Sequence, residues 1–414
     1  MREPGPLESP ARTAIGKAIM REYVPFLIAL LLIAAVLRED AILTVFYVLA
    51  GAYLVGRWWS RRALAAVEIS REFEPRAFWG EEIPVRLTLH NRGWLPVVWL
   101  RLQESVPTEL GVPQAFSLIT RLNAHHRVQF AYTVHGDHRG YYRIGPLHLA
   151  SGDLLGIVGD EERQGGINYL TVYPRIVPLP NMALSSHSPL GTLRHHQPIF
   201  EDPTRVRGKR DYVAGDSLRR VDWKASASSG RLQVKLFEPS IALEVVVMLD
   251  LYEEDYDLRT RFDTSELAIV TAASVANWVV QRKQTVGLIC NGVDPLHETS
   301  HHVLPARKDR AHLMRCLDIL ARIQLGATTP VVNLLREALV HLAWGTTLVL
   351  ITGQVDEALL AAGLQAQRHG VNLVVLVCSK VSPPAEIKRR AAHVAFPVTW
   401  LRHERDLEVW PWAS

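Results

Sequence analysis

The chain has 414 residues, 48% of them hydrophobic, and a formal net charge of +4. This length suffices for two or three domains with sizeable cores, and so small a net charge predicts local basic patches and argues against a nucleic-acid-binding chain. The three cysteines are odd in number and far apart, which argues against a disulfide framework and predicts reduced core residues in a cytosolic compartment.

The N-terminal region predicts two membrane helices joined by a short loop. A polar segment, residues 1–22, precedes two uncharged apolar runs, 24–37 and 41–56, which only three charged residues separate. As helices these runs would be roughly 21–24 Å long, shorter than the ~30 Å hydrocarbon core of a bilayer. Residues 23–59 are therefore predicted to form a membrane hairpin completed by flanking residues; a buried hairpin of a soluble domain and a cleaved signal peptide are the alternatives.

The flanks of the predicted hairpin indicate its orientation. Trp58 and Trp59 follow the second run, where tryptophan commonly lies at the membrane interface. Three Lys/Arg residues lie just before the hairpin and three just after it, whereas the connecting loop holds only Arg38. The positive-inside rule then predicts an inner (cytoplasmic) membrane protein with both hairpin ends and all later residues in the cytoplasm.

Residues 60–178 predict a β-sandwich. Short segments such as 83–89 and 128–134 alternate apolar with polar residues, and turn residues separate them. This spacing predicts six to eight strands in an immunoglobulin-like interaction module. Residues 179–204 contain several prolines and histidines without periodicity, which predicts a linker.

Residues 205–240 mix charges with aromatic and turn residues. The first twenty carry seven Lys/Arg and three Asp, and they also contain Trp223 and a Gly-Asp turn, which a flexible basic tail would not need. Gly215 permits a turn, and Asp216 can cap a short helix over residues 217–220. After Gly230 the apolar residues alternate, which predicts a half-buried strand.

This stretch resembles the signature of the domain-of-unknown-function 58 family, a family without an established reaction. The resemblance covers roughly residues 20–400 and is dense within the signature. The matching residues are Asp211, Tyr212, Gly215, Asp216, Arg220, Asp222, Trp223, Lys224, Ser226 and Glu238, and the neighbouring Arg210 and Arg219 complete the predicted binding or interdomain set. Similar proteins commonly accompany MoxR-type AAA ATPases, so the resemblance implies such a partner.

Three hypotheses stay open for this signature. Its charges could pair with one another and fix the sandwich against the next domain, because buried charges must be paired. Its Arg and Trp side chains could instead dock a partner protein. It could also bind an anion such as phospholipid headgroups or nucleic acid, although the interleaved Asp residues argue against this.

Residues 241–400 predict a doubly wound α/β domain, followed by a tail at 401–414. Continuous apolar runs such as 245–249 and 346–351 alternate with helical patterns such as 265–283 and 310–323. The order resembles a von Willebrand A domain, and von Willebrand A-like domains often serve as adaptors for AAA machines. The whole chain is thus predicted to combine a membrane helical hairpin, a β-sandwich and a von Willebrand A-like sheet.

The metal motif that the von Willebrand A resemblance implies is degenerate here. Asp250 ends the first strand, but the two serine positions hold Tyr252 and Glu254, and Gly353 stands where the fourth-strand acid belongs. Thr328 or its neighbour could match the loop threonine. Mg²⁺ requires near-octahedral oxygen ligands, so Asp250, Glu254 and Thr328 are metal candidates with too few partners.

A second pattern in the same region fits a zinc protease motif. Residues 297–301 read His-Glu-x-x-His, whose mechanism requires a helix that places both histidines on one face. Pro295 and Pro305 flank the run, and no helical period surrounds it. A loop with a chance match is the preferred interpretation.

Together these features predict a non-enzymatic, membrane-anchored cytoplasmic adaptor or assembly factor that docks a partner such as a MoxR-type AAA ATPase. No cofactor is predicted, and Mg²⁺ at the degenerate motif stays open as an alternative. The alternatives are a metal-dependent hydrolase that uses Asp250, Glu253 or the 297–301 run, and an anion- or nucleic-acid-binding protein that uses the Arg-rich signature.

Overall fold

The structure is a computed structural model that describes residues 10–37, 40–111, 117–152, 161–179, 201–213, 221–239, 244–297, 299–382 and 384–409. The chain divides into two compact units, residues 1–174 and 175–414. The first unit contains helices α1 (Pro10–Leu37) and α2 (Asp40–Ala65) and strands β1 to β10. Those strands are Val67–Glu72, Arg76–Ala77, Glu82–Asn91, Val97–Glu104, Ser117–Leu122, Arg127–His135, Gly140–Ile144, Leu147–Ser151, Glu161–Gln164 and Asn168–Val172.

The two N-terminal helices pack against each other. Tyr23 of α1 stacks on Tyr53 of α2 at 5.5 Å between ring centroids, and its hydroxyl donates to the Leu49 carbonyl. Helix α1 begins at Pro10, so much of the segment predicted as separate and polar continues the first helix.

Helix α2 is long and apolar enough to cross a membrane, judged by length and composition, and 6% of its most apolar window is buried. Its 26 residues span roughly 39 Å, more than the ~30 Å of a hydrocarbon core. A shorter apolar stretch, Pro25–Leu37, lies in α1. The helix exceeds the predicted apolar run because its last turns enter the strand layers of the same unit.

The described residues of this unit form ten strands where six to eight are predicted, because short strands such as β2 and β9 lack an apolar alternation. They make three sheets, β1-β3-β6, β2-β10-β7 and β5-β4-β8-β9. Alternate side chains of β3 are buried, as expected for a sheet with one solvated face. Leu87 and Leu89 of β3 pack with Leu100 and Leu102 of β4, so two layers of strands enclose the core.

The second unit contains β11 to β18 and α3 to α9. Its strands are Glu201–Asp211, Gln233–Pro239, Glu244–Leu249, Thr285–Cys290, His302–Arg307, Thr347–Thr352, Asn372–Cys378 and Val398–Leu401. Its helices are Trp223–Ser229, Arg261–Gln281, Arg310–Arg322, Val331–Leu339, Glu357–Arg368, Ala385–Ala391 and Arg405–Val409. The last of these helices lies in the predicted tail.

Six strands of this unit form one mixed sheet with helices on both faces, which confirms the predicted α/β arrangement. The order is β15-β14-β13-β16-β17-β18, parallel except for β15. Val246 and Met248 of β13 pack in one core with residues of α6 and α7. The alternate residues of β13 are also buried, and α4 contacts β13, β14, β16 and β17. Burial on both faces explains the continuous apolar runs.

Candidate functional site

The predicted signature forms an antiparallel pair of strands with a short helix between them. Arg210 of β11 pairs with Val234 of β12, and Asp211 pairs with Gln233. Helix α3 lies between the two strands in sequence and begins at Trp223. Glu238 lies in β12 opposite Asp202. Gly215, Asp216, Arg219 and Arg220, with the helix predicted at 217–220, lie outside the described residues.

Asp222 fixes the start of α3. Its Oδ1 accepts a hydrogen bond from the Ala225 amide at 3.1 Å, and its Oδ2 lies 2.9 Å from Lys209 Nζ. The first is an N-cap, which satisfies an otherwise unpaired amide of the first helical turn. The hydrogen bond from Lys209, assisted by the Ala225 amide, holds the pKa of Asp222 below its usual value.

Ser226 joins α3 to β12. Its hydroxyl donates to the Asp222 carbonyl at 2.8 Å and accepts the Gln233 amide at 2.8 Å. The Asp222 amide also donates to the Gln233 carbonyl. Because Ser226 is buried, its hydroxyl and the Gln233 amide depend on each other for a hydrogen bond. The short helix is therefore held firmly against the strand pair.

Trp223 extends from this fixed helix into solvent. It is 67% exposed, although Asp222 before it and Ser226 after it make the contacts described above. Val213 and Leu232 are also exposed, and the amide of Tyr212, next to Val213, donates to the Leu232 carbonyl. The strand pairing thus brings three exposed apolar side chains to one part of the signature.

Basic side chains accompany this apolar group. Lys209, Arg210, Lys224 and Arg231 are exposed, and Arg231 Nη1 lies 3.8 Å from Asp211 Oδ2. The Asp222–Lys209 and Asp211–Arg231 pairs join charges within the signature, and the second pair is exposed on both sides. They also leave Trp223 exposed within a basic surrounding.

A second candidate place lies at the carboxyl ends of β13 and β16. The strand order reverses here, since β14 and β15 follow on one side of β13 and β16 to β18 on the other. Ligands of open α/β sheets bind in the crevice at such a point. Asp250 directly follows β13, and Thr352 is the last residue of β16.

Asp250 is fully buried and all its hydrogen bonds are internal. Its Oδ1 accepts from Asn291 Nδ2 at 2.7 Å and from the Tyr252 amide at 3.1 Å, and its Oδ2 accepts from Thr352 Oγ1 at 2.7 Å. Burial, together with the nearby Asp255 carboxylate, raises the pKa of Asp250 to about 8. The hydrogen bonds oppose this rise but do not cancel it.

The residues present do not fit a Mg²⁺ ion. Both oxygens of Asp250 are occupied by protein donors, and Glu254 is exposed with its carboxylate on the Tyr252 hydroxyl. Thr328 Oγ1 is buried without a hydrogen-bond partner. A Cβ at Gly353 would collide with the Asp255 carbonyl, so the fourth-strand acid could not be placed there without moving the loop. Among the described residues, no cluster of three His, Cys, Asp or Glu side chains could hold a metal.

The His-Glu-x-x-His run does not form a zinc site in the described residues. Residues 297 and 299–301 lie in a turn and its flanks, and Glu298 lies outside the described residues. His297 Nδ1 is 3.2 Å from Asp294 Oδ2, which Arg322 also contacts. The helix that the protease mechanism requires is absent at the described positions of the run.

Asn291 is the site residue that the sequence analysis missed. Its amide donates to Asp250 and to the Thr329 carbonyl, and its oxygen accepts the Leu251 amide at 2.6 Å. It therefore connects three segments at the switch point. Its position directly after the apolar run at β14, like that of Asp250 after β13, is the signal that could have identified it.

Comparisons with known proteins support the family resemblance. The chain is 23% identical over 292 residues to the uncharacterized protein YeaD of Bacillus subtilis (strain 168), covering 68% of each chain. Among solved structures, a fragment of alpha-2-macroglobulin from Escherichia coli matches 27% of this chain and 17% of its own, at 16% identity and a TM-score of 0.23.

A metal-bound CARDB domain from Pyrococcus furiosus matches 26% of this chain and 91% of its own, at 11% identity and a TM-score of 0.20. TM-scores this low support no statement about fold or function. The family model described as "Protein of unknown function DUF58" matches residues 208–380. The resemblance to the domain-of-unknown-function 58 family is thus confirmed for that region of the chain.

Proposed function

We propose that this chain is a membrane-anchored cytoplasmic adaptor or assembly factor, without enzymatic activity of its own, that docks a partner protein through its signature. The observation that carries the proposal is the 67% exposure of Trp223 on a helix that Asp222 and Ser226 hold in place. An exposed tryptophan with arginines nearby is typical of the residues that anchor interfaces. Because hydrogen bonds already hold the backbone of α3, binding does not have to order that helix.

The charge of the signature indicates what kind of surface the partner presents. Residues 205–238 contain nine Lys/Arg and four Asp/Glu, although the whole chain has a net charge of only +4. A partner with an acidic face around an apolar pocket would complement this surface. The family resemblance supports a MoxR-type AAA ATPase in this role.

The proposed architecture has a membrane anchor, a β-sandwich and a von Willebrand A-like domain. The sheet order with β15 antiparallel at its edge supports the last assignment, and the two strand layers around one core support the second. The length and composition of α2 support the anchor. The arginines after the apolar run support a cytoplasmic location for both soluble units. Protease digestion of right-side-out and inverted membrane vesicles tests the cytoplasmic location. If the soluble units are cytoplasmic, the protease should cleave them only in inverted vesicles.

A binding measurement with purified proteins tests the docking proposal. The full chain in nanodiscs would be immobilised and a purified MoxR-type ATPase titrated onto it. Trp223→Ala should weaken binding by roughly thirtyfold, the effect of losing an interface hot spot. Trp344→Ala, at a residue 60% exposed on the same unit, is the matched control and should bind like the wild type. Equal affinities for the wild type and both variants would contradict docking through the signature.

A further inference from the structure

Helix α2 carries a second exposed surface that the docking proposal does not use. Its last turns have one buried side, formed by Ser60, Ala63 and Leu64. Ala63 and Leu64 belong to the core that β1, β3, β4, β5 and β8 enclose. The helix therefore does not end as a free linker but becomes part of the strand unit.

Three sets of contacts hold the end of α2 against the strands of the first unit. Trp59, predicted to lie at the membrane interface, is only partly exposed and donates its indole N–H to the Pro96 carbonyl at 3.1 Å. Arg163 Nη1 lies 2.7–3.2 Å from the carbonyl oxygens of residues 64, 65 and 67. These include carbonyls at the end of the helix, where a cation is favourable. Arg61 also pairs with Glu161 at 2.7 Å.

The opposite side of α2 changes from apolar to basic along the helix. Leu54 and Trp58 are exposed, and Arg61 and Arg62 follow them on the same side. This passage from aliphatic to tryptophan to arginine occurs over roughly 12 Å and matches the change from hydrocarbon to headgroups at a bilayer surface. Leu54, Trp58, Arg61 and Arg62 line, with Arg57 and Ala65, an open groove of about 480 Å³.

A residue of the strand layers joins this surface. Trp94, in the turn between β3 and β4, is 64% exposed and lies 6.3 Å from Trp58 between ring centroids. Its contact with Trp58 places Trp94 at the same height along α2 as that predicted interfacial residue. The turn would thus contact the membrane wherever α2 crosses it.

We infer that Arg57, Trp58, Arg61, Arg62 and Trp94 form a surface for anionic phospholipid headgroups, which seats the strand unit on the bilayer. The guanidinium groups of Arg57 and Arg62 bind headgroup phosphates, Arg61 does so with the nitrogens that Glu161 does not contact, and the two tryptophans lie at the interface. Anionic lipid is favoured because basic residues close to a membrane bind anionic leaflets. The inference rests on the membrane anchor of the proposed function but not on its partner.

A fluorescent probe on Trp94→Cys tests this seating in the full chain. The three native thiols are buried, and burial raises the pKa of each, so a thiol-directed label reacts at the introduced cysteine. Nanodiscs of phosphatidylcholine, with or without phosphatidylglycerol, would carry headgroup-level spin-labelled lipid. Glu82→Cys, at the opposite end of β3 and roughly 30 Å from its last residue, is the control.

We expect the spin-labelled lipid to quench the Trp94→Cys probe, and to quench it more strongly when phosphatidylglycerol is present. The Glu82→Cys probe should be quenched only by iodide, a quencher dissolved in the aqueous phase. In the Trp94→Cys background, Arg62→Gln should reduce the extra quenching caused by phosphatidylglycerol about fivefold. Arg86→Gln makes the same charge change at an exposed residue of β3 and should leave that quenching unchanged. A Trp94→Cys probe that responds only to iodide in a chain that still co-purifies with nanodiscs would overturn the inference. A chain that does not insert at all would instead overturn the membrane anchor.

Discussion

Asp250 places an ionisable group where ionisation is unfavourable. Its carboxyl group is buried at the switch point of the sheet and surrounded by donors from Asn291, Thr352 and the Tyr252 amide. Because its pKa in the folded chain, about 8, exceeds the ordinary value of 3.8, the folded state binds more protons than the unfolded state between these values. Stability from this group is therefore present at low pH and is lost as pH rises toward 8.

Asp250→Asn tests this linkage. The Asn oxygen can keep the bonds from Asn291 and the Tyr252 amide, while its amide can donate to Thr352, whose hydroxyl can turn to the Gln354 carbonyl at 3.2 Å. We expect the thermal midpoint of the variant, relative to that of the wild type, to rise as pH increases from about 4 to about 8. Thermal scans of both proteins over this range measure the difference. A difference that does not change with pH would contradict the raised pKa.

Asp250→Ala separates the hydrogen bonds from the charge. The substitution leaves one side-chain N–H of Asn291 and the Tyr252 amide without their acceptor, which costs about 1–3 kcal/mol for each group that stays unpaired, whereas the Thr352 hydroxyl can keep the Gln354 carbonyl. We expect a lower thermal midpoint than that of Asp250→Asn at every pH. Equal midpoints for the two variants would mean that the network around Asp250 contributes little to stability.

At the level of single elements, the side-chain contact between α3 and β12 depends on one hydroxyl. Ser226→Ala removes the acceptor of the Gln233 amide and should cost about 1–3 kcal/mol if that amide stays buried and unpaired. Ser228→Ala is the matched control, because Ser228 is exposed and bonds only within its own turn. Chemical denaturation of the two variants compares them. Equal stabilities would show that α3 is not held through Ser226.

Some elements of the second unit follow from the sequence and others do not. Strands β13, β14, β16 and β17 are buried on both faces, so their apolar runs identify them. Strand β15 lies at the sheet edge, contains a proline and alternates in burial, which hides it among loop residues. Its antiparallel direction depends on pairing with β14, which no local pattern records.

Some features of the candidate site can likewise be predicted from the sequence, and others cannot. The family resemblance identified Asp222, Trp223 and Ser226, but the cap and the contact with β12 depend on strand pairing that brings residue 233 next to residue 222. The sequence places a helix at 217–220, outside the described residues, and misses α3. Three serines among its seven residues weaken the helical signal there, and a tertiary hydrogen bond compensates for it.

Across the whole molecule, the charge excess of the signature should govern association with the proposed ATPase partner. Lys224→Glu reverses an exposed charge beside Trp223 and should lower the association rate roughly tenfold at low salt, with a smaller effect at high salt. Lys308→Glu makes the same change elsewhere on the second unit and serves as the control. Stopped-flow measurements with the purified ATPase would give both rates. Equal slowing by the two variants would indicate a nonspecific effect of net charge.

Site-specific photocrosslinking from position 223 tests the docking role of the signature most directly. A photoreactive phenylalanine analogue would replace Trp223 in the full chain, or Trp344 as the exposed control, and native membranes would be irradiated. If the signature docks the proposed partner, position 223 should crosslink to a MoxR-type ATPase and position 344 should not. Crosslinks from position 223 to this chain alone would contradict it, because they would mean that the signature only joins parts of the same molecule.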